Sequence, residues 1–148
     1  MVAGQTLDDV DRELPAAFAG RRAAIAFGFS EEAGKVVRAW ADELGDEVLL
    51  YQVPVLEGVP WLFRGLTERS IRNDTPPSRH ARLLLLYREE AEWRSRLEVK
   101  DEDTAYLVVV DAAGKVVQRH VGRPEPAVLA KMRAALMNVS PAPAAPVR

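Results

Sequence analysis

Three groups of side chains have types and spacings that could do chemistry. The first is Ser30-Glu31-Glu32, a hydroxyl and two carboxylates directly after the apolar run Ala23 to Phe29. If that run is a strand and a helix follows, Ser30 sits where a helix is capped, beside first-turn N–H groups that have no intrahelical partner. An anion or a peptide could bind there. Glu31 and Glu32 already supply the negative charge that a helix N-terminus attracts, so capping alone also accounts for the triplet. The second group is Asp101-Glu102-Asp103-Thr104, three acids and a hydroxyl ahead of the apolar run Tyr106 to Val110. A general acid or base could come from it. Nothing in the sequence pairs these residues with a nucleophile, and a solvated loop is the plain alternative. The third group is Trp61, Phe63 and Leu66 with Arg64, Arg69 and Arg72. Aromatic anchors among arginines suit a protein interface, a self-association surface or an anionic membrane, while a lid packed on a sheet is the competing reading.

Other reactive groups are few. The chain has no cysteine, which removes disulfides, thiolate nucleophiles, CxxC pairs and cysteine-ligated metals. His80 and His120 are far apart in sequence, with no carboxylate or second histidine at metal-ligand spacing, so neither a metal nor a cofactor is expected. Arg79, His80, Arg82 and Arg88 could meet phosphate but lack the interleaved aromatics of a single-strand binder, and nucleic acid is not an expected partner.

The 148 residues suffice for one domain, which can bury roughly 70% of the surface of its unfolded chain. An apolar share of 48%, a charged share of 28% and a formal charge of -2 describe a globular chain with no global bias toward polyanions. The charge is uneven along the sequence. Residues 1–49 carry ten acids against five bases, and residues 64–96 carry eight arginines against five acids. An anionic partner or a solvated helix face would account for the basic middle. The N-terminus lacks a basic start followed by an apolar stretch, and no run approaches the ~18 apolar residues of a membrane span, so the cytoplasm is the default location. Sixteen arginines against four lysines, with abundant alanine, hint at a bacterial GC-rich genome.

The elements that would position these groups follow from periodicity. Leu7, Val10, Leu14 and Phe18 have helical spacing broken by Pro15, which predicts a short helical turn in an N-terminal lead-in over residues 1–21. Ala23 to Phe29 reads as a strand. The helix after it carries Val36, Val37, Trp40 and Leu44 on one face and stops at Gly45. A second strand, Glu47 to Val53, completes a βαβ unit whose strands must be parallel. An insertion over about residues 54–79 holds a helix from Pro60 to Arg72, begun by proline and ended by the run Asn73 to Ser78. Leu83 to Tyr87 suits a buried strand, and Ala91, Trp93, Arg94 and Leu97 give a rough helical face. Tyr106 to Val110 reads as a strand buried on both faces, Ala113-Gly114 as a turn, and Lys115 to Val121 as an edge strand. Pro124, Val128, Leu129, Met132 and Leu136 mark a closing helix to residue 139, and residues 140–148 have too little to bury to be ordered.

The strings AIAFGFS and AYLVVVDAAGKVVQRHVG, in this order and with a helix after each, resemble the thioredoxin-like superfamily with a peroxiredoxin-like insertion. The resemblance implies an α/β fold, a three-layer α/β/α sandwich around a central mixed sheet of about five strands. FGFS at 27–30, the helical stretch leading up to Trp40 and YLVVVDxxGKV at 106–116 are also similar to the thioredoxin-like assembly factors of mitochondrial ATP synthase. In redox members of the superfamily the reactive cysteine lies between the first core strand and its helix, where the helix end depresses the thiol pKa. That slot here holds Ser30, Glu31, Glu32, Ala33 and Gly34. Serine is a weak nucleophile without a positioned base. The proline that usually precedes the penultimate strand in a cis bond is missing, with Thr104 near its place, where a cis bond would cost about 2.5–4 kcal/mol. Disulfide exchange and peroxide reduction are thereby excluded. The expected role is a non-redox binding or assembly module working through protein contacts of the insertion. The alternative is an enzyme using Ser30, Glu31, Glu32, Asp103 and Thr104 at the edge where the thiol site would be.

Overall fold

A computed structural model describes residues 2–137, so the tail over 140–148 lies outside the described residues. In chain order the elements are β1 (Val2–Thr6), β2 (Asp11–Leu14), a 3-10 turn (Ala16–Phe18), β3 (Ala23–Gly28), α1 (Glu31–Leu44) and β4 (Leu50–Pro54). The insertion follows as a 3-10 turn (Trp61–Phe63) running directly into α2 (Arg64–Asp74), then a second 3-10 segment (Pro77–Arg82). The chain closes with β5 (Leu84–Leu85), α3 (Glu90–Arg96), β6 (Tyr106–Val110), β7 (Val116–Val121) and α4 (Pro126–Met137).

The central sheet has the order β4-β3-β6-β7. β3 and β4 run parallel, as a helical crossover requires, and β3-β6 and β6-β7 are antiparallel. Every residue of β3 and β6 is buried, which is why both read as unbroken apolar runs. β7 lies at the edge and leaves Val116, Val117 and Val121 exposed. The expected fifth strand is present in altered form. Of Leu83 to Tyr87, only Leu84–Leu85 forms a ladder, and that ladder is with β1 in a second sheet of order β2-β1-β5. Isolated parallel bridges Gln52↔Leu83 and Val55↔Leu86 still hold the segment beside β4.

The N-terminal segment holds the expected short helical turn at Ala16–Phe18, ahead of Gly20, but before Pro15 it is a β-hairpin rather than part of a helix. β1 and β2 pair antiparallel with Val2 opposite Leu14, and Val2, Leu14 and Phe18 join one core cluster with Phe27 and Val108. Thr6 hydrogen-bonds Asp8 and the Val10 carbonyl, and Asp9 takes a positive φ of 63°, which aspartate tolerates in a tight reversal. Leu7 goes to a different cluster with Leu56, Leu83 and Leu85. Of the four apolar residues with helical spacing, Leu14 and Phe18 serve one core and Leu7 another, while Val10 is only half-buried. β1 also runs close against β5: a Cβ on Gly4 would stand 2.5 Å from the Leu85 carbonyl oxygen.

Helices α1 and α4 cover one sheet face, where Val36, Trp40, Leu44 and Met132 meet the small side chains of Ala24 and Ala26. On the other face Phe18 and Leu97 pack with Tyr51 and Val108, and Trp93 of α3 stacks on Phe27 at 4.8 Å. Trp40 is fully buried and donates from Nε1 to the Gly122 carbonyl at 2.8 Å, fixing α1 to the connection between β7 and α4. His120 meets the Trp40 ring edge-on at 5.5 Å. The uneven charge is used inside the fold. Arg79 reaches Asp42 at 2.6 Å and Asp46 at 3.6 Å, and Arg82 donates to the Val48 carbonyl, so the basic middle is tied to the acidic first half; Arg38 and Asp74, at 3.9 Å, join the same two segments with the signs reversed.

Candidate functional site

The helix end at the carboxyl edge of β3 is closed by its own hydrogen bonds. Ser30 is the N-cap of α1, and its Oγ accepts from the Ala33 N–H at 3.1 Å. The same hydroxyl directs its one proton toward the Glu102 carbonyl at 2.9 Å and Asp103 Oδ1 at 2.8 Å. Two of the sequence-predicted groups, Ser30 and Asp103, are thus brought together. The contact joins the cap to the loop before β6. Around it Asp101 Oδ1 accepts from the Asp103 N–H, and the Glu102 carboxylate pairs with Arg94 at 3.1 Å. The Tyr106 hydroxyl ties the loop down by donating to the Asp101 carbonyl and accepting from the N–H groups of Lys100 and Asp101. Glu31 and Glu32 are exposed in the first turn, and Glu32 pairs with Lys35 at 2.9 Å. Thr104 is half-buried, and the cis peptide bond among the described residues is Leu14–Pro15, leaving Thr104 in a trans backbone.

The insertion is organised differently. Trp61, Leu62, Phe63 and Leu66 are 79%, 66%, 50% and 61% exposed, and α2 has no fully buried residue. The segment is attached through half-buried Val59 and Ile71, which pack on the cluster of Leu7, Leu56, Leu83 and Leu85. The arginines do not ring the aromatics evenly. Arg64 lies over the Tyr87 ring at 4.5 Å, and Arg72 donates to the Leu7 carbonyl at 2.9 Å. Arg69 is exposed. Tyr87 in turn donates to Glu68, and burial first, then that hydrogen bond, pushes its hydroxyl pKa up.

Between these two regions lies a groove of about 690 Å³ that neither group of residues predicted by itself. Its α1 wall holds Ser30, Glu31, Gly34, Lys35 and Arg38, and its α2 wall holds Leu66, Thr67, Ser70 and Ile71. Its floor is the end of β4, with Gln52 and Val55. It takes in Ser30 and Glu31 from one predicted group and Leu66 from another, and leaves out Glu32, Asp103 and Thr104. Gln52 is only 6% exposed, yet its carboxamide enters none of the side-chain hydrogen bonds among the described residues. Its sequence signal was a single polar residue inside the apolar run Leu49 to Val55. A parallel strand covered on both faces has little reason to carry one.

The histidines are occupied elsewhere. His80 Nε2 donates to the Thr75 carbonyl at 2.9 Å, and His120 packs on Trp40. No helix among the described residues is long and apolar enough to cross a membrane.

No protein-family model matches the chain. No curated protein matches it either. Solved structures do. Yeast Sco1 is similar with a TM-score of 0.61 at 15% identity, covering 95% of each chain. A putative thiol-disulfide oxidoreductase from Bacteroides vulgatus gives a TM-score of 0.64 at 11% identity, over 95% of this chain and 88% of that one. The exposed lipoprotein thioredoxin Etrx1 of Streptococcus pneumoniae gives 0.60 at 15% identity, over 90% and 98%. These likenesses cover 90% or more of the chain. The protein therefore has a thioredoxin-like fold, one from which every cysteine is absent.

Proposed function

We propose that the chain is a non-redox thioredoxin-like binding module, of the assembly or chaperone-like kind, that captures a protein partner or a second copy of itself through the insertion. The observation that carries this reading is the contiguous exposure of Trp61, Leu62, Phe63 and Leu66 in one segment. Large apolar groups left together in water are costly, and clustered aromatics are the residues that dominate protein interfaces. Commitment of Arg64 to Tyr87 and of Arg72 to Leu7 leaves few cations for lipid phosphates, which favours a protein over an anionic membrane. Catalysis at the Ser30 edge has weaker support, because the hydroxyl caps a helix and the groove excludes Asp103 and Thr104.

The test is the double variant Trp61→Ala/Phe63→Ala, compared with wild type by light scattering after size exclusion and by affinity capture from native extract. Circular dichroism and the thermal midpoint should be unchanged, while dimer or captured partner disappears. Unchanged association by a folded double variant would end this reading.

A further inference from the structure

We propose that the groove between α1 and α2 is a peptide-binding site in which Gln52 reads the main chain of an uncharged apolar segment. The proposal rests on the binding-module reading above and names the chemistry of the occupant. A carboxamide presents an acceptor and donors side by side, which matches the N–H and C=O of a peptide bond. Gln52 is almost wholly buried at the groove floor with that pair unused. The amide atoms of Gln52 are not sealed from solvent, so they are open to the groove and can bond to whatever enters it.

The charge of the lining selects among ligands. Glu31, Asp74 and Glu90 balance Lys35, Arg38 and Arg94. Each of these cations is already paired: Lys35 with Glu32, Arg38 with Asp74, and Arg94 with Glu90 and Glu102. No free cation waits for a phosphate or carboxylate, and a charged ligand would break a pair to enter. Val37, Val55, Leu56 and Ile71 supply the apolar contact. The volume lies within the ~300–1,000 Å³ of ligand pockets. Leu66 belongs both to the groove and to the exposed stretch begun by Trp61, so a segment seated over Gln52 continues onto the apolar face without a gap.

The experiment uses the full chain and an array of N-acetylated, C-amidated hexapeptides, with charged and uncharged members and AMP as a phosphate-bearing competitor. Wild type should retain uncharged apolar hexapeptides, with amide shift changes at Val37, Gln52, Val55 and Ile71. Gln52→Leu and Gln52→Met should each weaken retention about tenfold, the loss expected of two neutral hydrogen bonds. Their thermal midpoints should be equal to or above wild type, because the floor becomes wholly apolar. Retention of no hexapeptide, equal retention by the variants, displacement by AMP, or a lowered midpoint in both variants would each overturn the proposal. If the Gln52 variants keep hexapeptide binding while Trp61→Ala/Phe63→Ala loses association, the groove assignment falls and the binding-module reading stands. If the double variant keeps its association and the Gln52 variants lose peptide, the reverse holds.

Discussion

The N-terminal end of α1 and the start of α2 lie on either side of one groove, and they treat their polar and apolar groups in opposite ways. At the α1 end Ser30 has a backbone donor, a carbonyl and a carboxylate around its hydroxyl, and the acids of the neighbouring loop are engaged with backbone or with Arg94. At the α2 end three of the largest apolar residues of the chain meet water. The first region is internally satisfied and the second is not. Where a fold leaves groups unsatisfied, an external partner has something to contribute. The difference teaches that in this cysteine-free scaffold the slot behaves as structure and the insertion as surface.

The two tryptophans give the sharpest version of that contrast. Trp40→Ala should cost about 3–5 kcal/mol, a large part of a domain's stability, because the indole is fully buried and its N–H bond to Gly122 is lost. Trp61→Ala should change stability by less than about 0.5 kcal/mol. Urea unfolding of the two variants decides this, and a comparable loss for Trp61 would mean that the insertion is core. A smaller effect is expected at the cap: Ser30→Ala should destabilise by about 1 kcal/mol, read by the same titration, and leave partner capture intact. If capture fails in that variant, the slot is a binding surface after all. The clamp between the halves should count for less. A double-mutant cycle on Asp42 and Arg79 should give a coupling of about 0.2–1 kcal/mol that shrinks with added salt, since Asp42 is largely exposed. At neutral pH the Tyr87 hydroxyl should have no effect through titration. Its pKa is raised above the ordinary 10.0, so the folded chain keeps a proton that the unfolded chain releases. Stability is full below about pH 10 and falls as pH rises beyond it. Tyr87→Phe should flatten that alkaline fall in thermal denaturation, and an identical slope would show that Tyr87 does not hold the insertion through Glu68.

Much of the scaffold was legible because it repeats simple periods. Ser30 and Gly45 mark the two ends of α1 in the sequence and in the structure. The runs that became β3 and β6 are apolar because both faces are covered, whereas β7 turns Val117 and Val121 outward and half-buries Gln118 and His120, the reverse of the usual alternation. The N-terminus misled because helical spacing from Leu7 to Phe18 is also what results when a hairpin and a turn feed two cores. Arg64 and Arg72 were legible as charges but not as contacts: Tyr87 and the Leu7 carbonyl, which hold them, are distant in sequence. Gln52 was missed: its polarity inside an apolar run is written in the sequence, but its place on a groove floor is not, because the opposite wall is a helix that begins well after it.

The sequence by itself determined that thiol chemistry is absent, that a βαβ unit precedes an antiparallel hairpin, and that α1 is capped by serine. Each of these depends on residue type or on neighbours within one element. Only the tertiary structure decided that the basic middle folds against the acidic first half, that Trp61 faces water while Trp40 does not, and that Ser30 and Leu66 share a groove. Those outcomes depend on which surfaces meet when helices pack on a sheet, and periodicity along one element carries no information about its partner across the fold.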